Sequence, residues 1–472
     1  MKRKLEHSEY ISSARPAAKA LLDRALTLFD FASVLFIDSR GKNYRVSASG
    51  VSVSDEPLFC SRGMVLRFAK DGRIGEISRP DLSEEDIDGI LDKARELLSQ
   101  EGDFLEYLPY EEVSCTLSEC TEFEEDPELV GDGEIIRTLK EVRSSALGAD
   151  PRVFDCMCRL SYKKYTKLFL SRQKDMCESV MWTTAAINTF TKENGRLRDS
   201  YRGYSNLGGM EILKKLGDEG VSESVRCAVD LLRSEQIPAG EYDCICSPDV
   251  TGMIVHEAFG HGVEMDMFVR DRALARDYIG KRVASDKVNM HDSACAVSEA
   301  ASYFFDDEGN LSRDTKIISN GILLRGICDE ISASRLGTSP TGNGRRESSD
   351  RRAYTRMTNT YFEAGEDSLE DMIASVKHGF LLEEARNGME DPKNWGIQCV
   401  VGIAREISDG ALTGRIFSPV VLSGYVPDLL RSIRMTGRDF TLSGCGFCGK
   451  GHKEWVKVSD GGPYILARIK LG

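Results

Sequence analysis

Apolar residues in this chain recur at two spacings. Between Ser83 and Ser99, residues Ile87, Ile90, Leu91, Ala94, Leu97 and Leu98 fall on one stripe at helical spacing. Ser83 suits the N-cap, and Asp86 three residues on resembles a capping box. That stripe reads as a core-facing surface. Further helices are predicted at Pro16–Phe29, near Glu134–Leu147, at Ser222–Glu235 and at Ser368–Lys377. Alternating segments predict strands. Val34–Ser47 reads as two strands around Ser39-Arg40-Gly41, and Met64–Ile77 as a hairpin turning at Asp71-Gly72. More strands are expected from Val153 to about Phe190. Glu111–Glu134 is acidic, contains Ser, Pro and Gly, and reads as a connection.

Ile237-Pro-Ala-Gly240 punctuates the chain. Beyond it strands dominate, with hairpin turns expected at Asn320-Gly321, Asp409-Gly410 and Asp460-Gly461. A chain of 472 residues calls for more than one core. The expected fold is α+β. A mixed α/β N-terminal domain (residues 1–236) precedes a β-rich C-terminal domain (residues 237–472). No internal repeat of fixed period is visible.

Composition narrows the functional classes. The apolar fraction is 41%, the charged fraction 29%, and the net charge −14. That balance is ordinarily globular. The negative charge argues against direct nucleic-acid binding, which needs a surplus of Lys and Arg. The basic start Met1-Lys-Arg-Lys is followed by no apolar run, so it does not read as a secretory signal. No stretch approaches the roughly 20 apolar residues of a membrane helix. A cytoplasmic location is expected. The 14 cysteines are then mostly reduced and buried. Cys156/Cys158 and Cys244/Cys246 have strand spacing, so each pair should share a face. Cys445/Cys448 is a C-x-x-C in a glycine-rich loop.

The informative segment is Glu241–Val263. A strand at Glu241–Cys246 leads into a helix. Ser247 can cap it, Pro248 suits its first position, and Asp249 favours its positive end. His256, Glu257 and His261 near the helix end form H-E-x-x-x-H. The common zinc-peptidase spacing, H-E-x-x-H, puts both imidazoles on one helix face. Here the second His comes one residue later. In a regular helix five residues rotate by about 140°, which points the rings apart. Two ligands on one ion therefore require a wider i→i+5 turn, or a break at Gly260. Two neutral imidazoles and one more ligand leave a zinc position open to water. The ion brings the water's pKa toward about 7, and a carboxylate beside the first His can take its proton.

A third ligand must come from elsewhere, and Gly444–His452 is the candidate segment. A thiolate in a glycine-rich loop can approach a metal closely. If Cys445 and Cys448 both bound, the site would be a closed His2Cys2 centre, structural and not catalytic. Two further groups stand out. Arg345 and Arg346, beside Asn343, are either solvated charges on a turn or groups that bind a peptide carboxylate or an oxyanion. Glu264 and Asp266 either orient a ligand ring or lie in a solvated loop.

These residues resemble the TldD/PmbA family, whose TldD-type subunits are metallopeptidases with H-E-x-x-x-H. The likeness runs along most of the chain. It is carried by His256-Glu-Ala-Phe-Gly-His-Gly-Val-Glu264, Pro340-Thr-Gly-Asn-Gly-Arg-Arg-Glu-Ser348, Arg356-Met-Thr-Asn-Thr-Tyr361, Phe447-Cys-Gly-Lys-Gly451 and the Gly63–Ala94 region. The resemblance implies a zinc peptidase (Zn2+) acting on unfolded or extended peptides. His256, His261 and Cys448 would be its metal ligands and Glu257 its catalytic base. It also implies a homodimer, or a heterodimer with a TldE/PmbA-like subunit lacking the motif. His452 follows where family members often carry Gly-Gln; it reads as a neutral replacement ahead of a transition-state donor or a stray ligand. The rival from a different class is a non-catalytic, metal-stabilised scaffold or partner subunit. The family's historical label as a gyrase modulator raises a DNA-associated role, which the acidic charge disfavours.

Overall fold

Alternate residues of the long strand Phe31–Ser47 enter different cores. Val34 and Phe36 pack against helices, while Leu35 and Ile37 pack against Phe305 on the opposite face. The neighbouring strand Val153–Ser171 does the same, with Leu168 and Leu170 on the helical face and Phe169 on the other. This is the period-two logic of a pleated sheet. The computed structural model describes residues 2–55, 58–100, 107, 112–450 and 454–472.

The first sheet has eight strands. Its main order is Arg196–Asn206, Lys174–Glu193, Val153–Ser171, Phe31–Ser47, Ser61–Lys70, Arg73–Arg79, all antiparallel. Helices Glu9–Ala25 and Ile87–Ser99 cover one end of its helical face. Helices Asp132–Ala149 and Asp218–Leu231 cover the other end. Ser83 and Asp86 form the expected capping box. The helix predicted from Pro16 begins earlier, at Glu9, with Pro16 inside it. Phe31–Ser47 is one continuous strand and not two, because Ser61–Lys70 and Val153–Ser171 pair with it on both sides through Ser39. Glu111–Glu134 is no mere connection either: Cys115–Cys120 adds a parallel strand, and helix Pro127–Val130 follows.

The second sheet has eleven strands and begins at Gly240–Cys246. That strand pairs with His378–Asp391 on one side and Ser459–Leu471 on the other. Gly396–Ser408 and Val420–Tyr425 complete a closed cycle of five strands. The helix Pro248–Ile254 is apolar and buried from Val250 to Ile254, as a helix sunk in a core must be. Asn320-Gly321, Asp409-Gly410 and Asp71-Gly72 take the left-handed conformations of tight hairpin turns. Asp460-Gly461 does not turn. It lies inside Ser459–Leu471, paired with Asn359–Phe362 and Met435–Ser443.

Buried ions join the two halves. Arg67 reaches Glu308 and Glu330 at 2.8 Å each and Glu76 at 3.2 Å. Arg346 meets Glu76 at 2.5 Å. Burial alone would raise the Glu76 carboxyl, but Arg346 and Arg67 override it and hold it at about 2. A depressed carboxylate stabilises the fold fully above its unfolded pKa, and that contribution fades as pH falls from about 4.5 to about 2. The shift is worth about 3 kcal/mol. In urea unfolding the wild type should therefore lose about 3 kcal/mol more than Glu76→Gln across that window; parallel losses would contradict the assignment.

Candidate metal centre

The helix Pro248–Ile254 does not continue in regular form. Over Val255–Gly260 its turn widens, and the His261 N–H bonds to the His256 carbonyl five residues back. Of the two distortions open to the sequence, the structure takes the wider turn. Gly260 keeps ordinary helical angles of −59° and −53°. Its role is space: a Cβ there would meet Met357 Sδ at 2.3 Å. At Gly262 a Cβ would lie 2.7 Å from Glu390 Oε1, so any larger residue would have to push that carboxyl aside.

The widened turn brings the two imidazoles together, ring centroids 5.0 Å apart and planes at 88°. Cys448 joins them from the short strand Phe447–Cys448, its Sγ 3.3 Å from His261 Nε2. The three donor atoms lie within 4.8 Å of one another. Bonds of about 2.0–2.1 Å to nitrogen and about 2.3 Å to sulfur can span such a triangle. His256 Nδ1 is buried with no hydrogen-bond partner among the described residues and faces the Asp460 carboxyl. The donor set thus fits a zinc ion. Cys445 is not in the group. It lies against Gly203 on a strand of the first sheet, so the described residues form no His2Cys2 cage. His452 lies outside them.

Electrostatics hold the thiol ready. Burial alone would push Cys448 up, but His261 and hydrogen bonds with both imidazoles bring it down to about 4. Burial would lower His261, yet Cys448 and Glu264 hold it well above its ordinary value. His261 Nδ1 donates to Glu264 Oε2 at 3.0 Å, so Glu264 orients the His261 ring and is not a solvated loop residue. Lys450 in turn holds Glu264 at 3.1 Å and Asp266 at 2.7 Å. Arg356 Nη2 donates to the Cys448 carbonyl at 2.6 Å, fixing the strand that carries the thiolate. Asp460 Oδ2 lies 3.9 Å from His256 Nδ1, and burial pushes its carboxyl up to about 6.

Glu257, next in the chain to His256, is half-buried. Its stem packs on the backbone of Gly388, where a Cβ would meet Glu257 Cγ at 2.5 Å. Glu390 was invisible to sequence reasoning. Both its carboxyl oxygens are buried beside the Gly262 backbone, and burial raises it well above the ordinary carboxyl range. Nothing in the segment Met389-Glu390-Asp391 signals this. Arg346 is a structural ion-pair partner of Glu76, and Asn343 donates to buried Asp292 at 2.7 Å. Neither is a solvated turn.

Residues 239–470 match the PmbA/TldA metallopeptidase C-terminal domain. A "Metalloprotease TldD homolog" of Haemophilus influenzae is 30% identical over 346 residues, covering 71% of each chain. The chain belongs to the TldD/PmbA family. A "Metalloprotease" of Methanothermobacter thermautotrophicus is 30% identical over 302 residues, 64% of this chain and 65% of the relative. A "Zinc metalloprotease TldD homolog" of Saccharolobus solfataricus is 32% identical over 246 residues, 52% and 54% respectively. In these last two the match spans less than two thirds of the relative. The crystal structure of TldE from Thermococcus kodakarensis superposes with a TM-score of 0.75 at 18% identity, over 97% of this chain and 100% of that one. This TldD/PmbA member therefore shares that protein's fold. Among the described residues no helix is long and apolar enough to cross a membrane.

Proposed function

We propose that this chain is a zinc-dependent peptidase acting on extended peptides. His256, His261 and Cys448 hold the ion, and Glu257 serves as general base. One observation carries the reading: two imidazoles and a thiolate converge at a widened turn that itself carries a carboxylate, Glu257, beside the first imidazole. When bound, zinc polarises the scissile carbonyl and acidifies a water. The chain's residues do the rest. Glu264 fixes the His261 ring. Arg356 fixes the Cys448 strand. Glu257 takes the water's proton and returns it to the leaving amine.

The metalloprotease names of the relatives support this reading, as does the zinc in one of them. Pairing of a peptide backbone with a strand edge would give loose sequence preference. A second subunit, either a copy of this chain or a TldE-like one, belongs to the proposal, as does the division of the chain at residue 236. Treating the protein with a chelator should abolish cleavage of an unstructured peptide, and added zinc should restore it. Cleavage that survives metal removal would refute the proposal. Unfolding on metal removal, with no cleavage before it, would favour the scaffold reading.

A further inference from the structure

Behind the Cys448 strand lies a cavity of about 90 Å³. Its walls include Lys163, Arg345, Lys457, Trp182, Phe447 and Trp455. Lys457 is 6% exposed, and its ammonium has no hydrogen-bond partner among the described residues. It sits 4.5 Å from the ring centroids of both Trp182 and Phe447. Lys163 donates to the Leu58 carbonyl at 2.9 Å. Arg345 donates to the Met357 carbonyl at 2.5 Å and lies over the Tyr303 ring. None of the three forms an ion pair with a described carboxylate within 4.0 Å.

The carboxylates on the same walls are already engaged. Asp307 takes Lys167 at 2.9 Å and the Arg346 N–H at 2.8 Å. Asp306 accepts the N–H groups of Asn310 and Gly344 at 2.8 and 2.9 Å. Glu347 accepts the Trp455 N–H at 2.8 Å. The other two wall cations are satisfied as well: Lys167 also meets Glu178, and Arg346 meets Glu76. Among the described residues, three cations therefore face the cavity with no carboxylate within ion-pairing distance, Asp307 and Glu299 acting on Lys163 and Lys457 only from farther off. Burying such charges is costly unless a counter-charge arrives. Aromatic faces offset part of that cost. Burial holds Lys163 and Lys457 down to about 8, against weaker opposing pulls from Asp307 on Lys163 and from Cys445 and Glu299 on Lys457.

We propose that this cavity is a binding site for a small oxyanion, a carboxylate or a phosphate, clasped by Lys163, Arg345 and Lys457. The volume is several times that of one water and accommodates such a group. The site is separate from the metal centre. Phe447 and Lys457, which line the cavity, are cross-strand partners, and Cys448 belongs to the next pair with Val456. The two sites thus share a strand, and His256, His261 and Cys448 are not among the residues that line the cavity.

The test is calorimetric titration of the metal-free 472-residue chain at fixed ionic strength. The probes are inorganic phosphate, an N-acetylated tripeptide with a free C-terminal carboxylate, and its C-terminal amide. Trp182 and Trp455 give a second readout by fluorescence. Saturable binding of phosphate, of the peptide acid or of both is expected, with the amide at least about tenfold weaker than the acid whenever the acid binds. Phosphate alone would identify a free oxyanion as the ligand, and the acid alone a peptide terminus. Lys457→Met should weaken binding at least about tenfold, and Arg345→Met independently should do the same if the first variant does not fold. Absence of binding by both anions, equal binding of acid and amide, or unchanged affinity in the folded variants would overturn the assignment.

Discussion

Glu257→Ala is expected to keep its zinc and to lose peptide hydrolysis by about 10³-fold, the scale of a removed general base. The geometry separates the two properties. Glu257 is not one of the three converging donors, so metal affinity should survive. The widened turn is held by the backbone bond from the His261 N–H to the His256 carbonyl, so truncation to alanine removes the carboxylate and leaves the turn in place. Glu257→Gln should fall as far as alanine, because the amide keeps the shape but cannot accept the proton. Steady-state cleavage of an unstructured peptide, with zinc measured on the same samples, checks this. Turnover within about tenfold of wild type in a zinc-loaded variant would remove Glu257 from its role.

Cys448→Ala should act the other way round. It strips away the sole sulfur donor of the group and leaves two imidazoles that lack their anionic neighbour. Zinc affinity should fall by more than the 10–100-fold that loss of an outer partner typically costs, and hydrolysis should fall with it. Cys445→Ala is the contrast. That thiol packs against Gly203 and is absent from the donor triangle, so zinc affinity should stay within about threefold of wild type. Competition with a chromophoric chelator measures all three proteins. Equal losses in the two variants would revive the closed His2Cys2 centre.

Much of this was legible in the sequence, for local reasons. The stripe Ile87–Leu98 and the box of Ser83 with Asp86 depend on near neighbours, and they appear as expected. So do Cys156/Cys158 and Cys244/Cys246, each pair buried within one strand. The one-residue excess in H-E-x-x-x-H required a distortion, and the turn at Val255–Gly260 supplies it. What stayed hidden depends on distant partners. Asp460-Gly461 has turn chemistry, yet strands on both sides hold it extended. Ser39-Arg40-Gly41 is kept in line in the same way; a Cβ on Gly41 would meet the Tyr162 carbonyl at 2.1 Å. Cys445 and Cys448 are three residues apart in one glycine-rich loop, and spacing does not say which faces the histidines. Only the resemblance to the family separated them. Glu390 and Lys457 are ordinary polar residues in ordinary strands until the fold closes over them.

The central claim is that two imidazoles and one thiolate hold a zinc ion with one position left for solvent. X-ray absorption at the zinc edge of the metal-loaded protein tests it most directly. The predicted first shell is two imidazole nitrogens at about 2.0 Å, one sulfur at about 2.3 Å, and one further light atom not supplied by the chain. A shell of two sulfurs and two imidazoles, or one with no sulfur, would contradict the account.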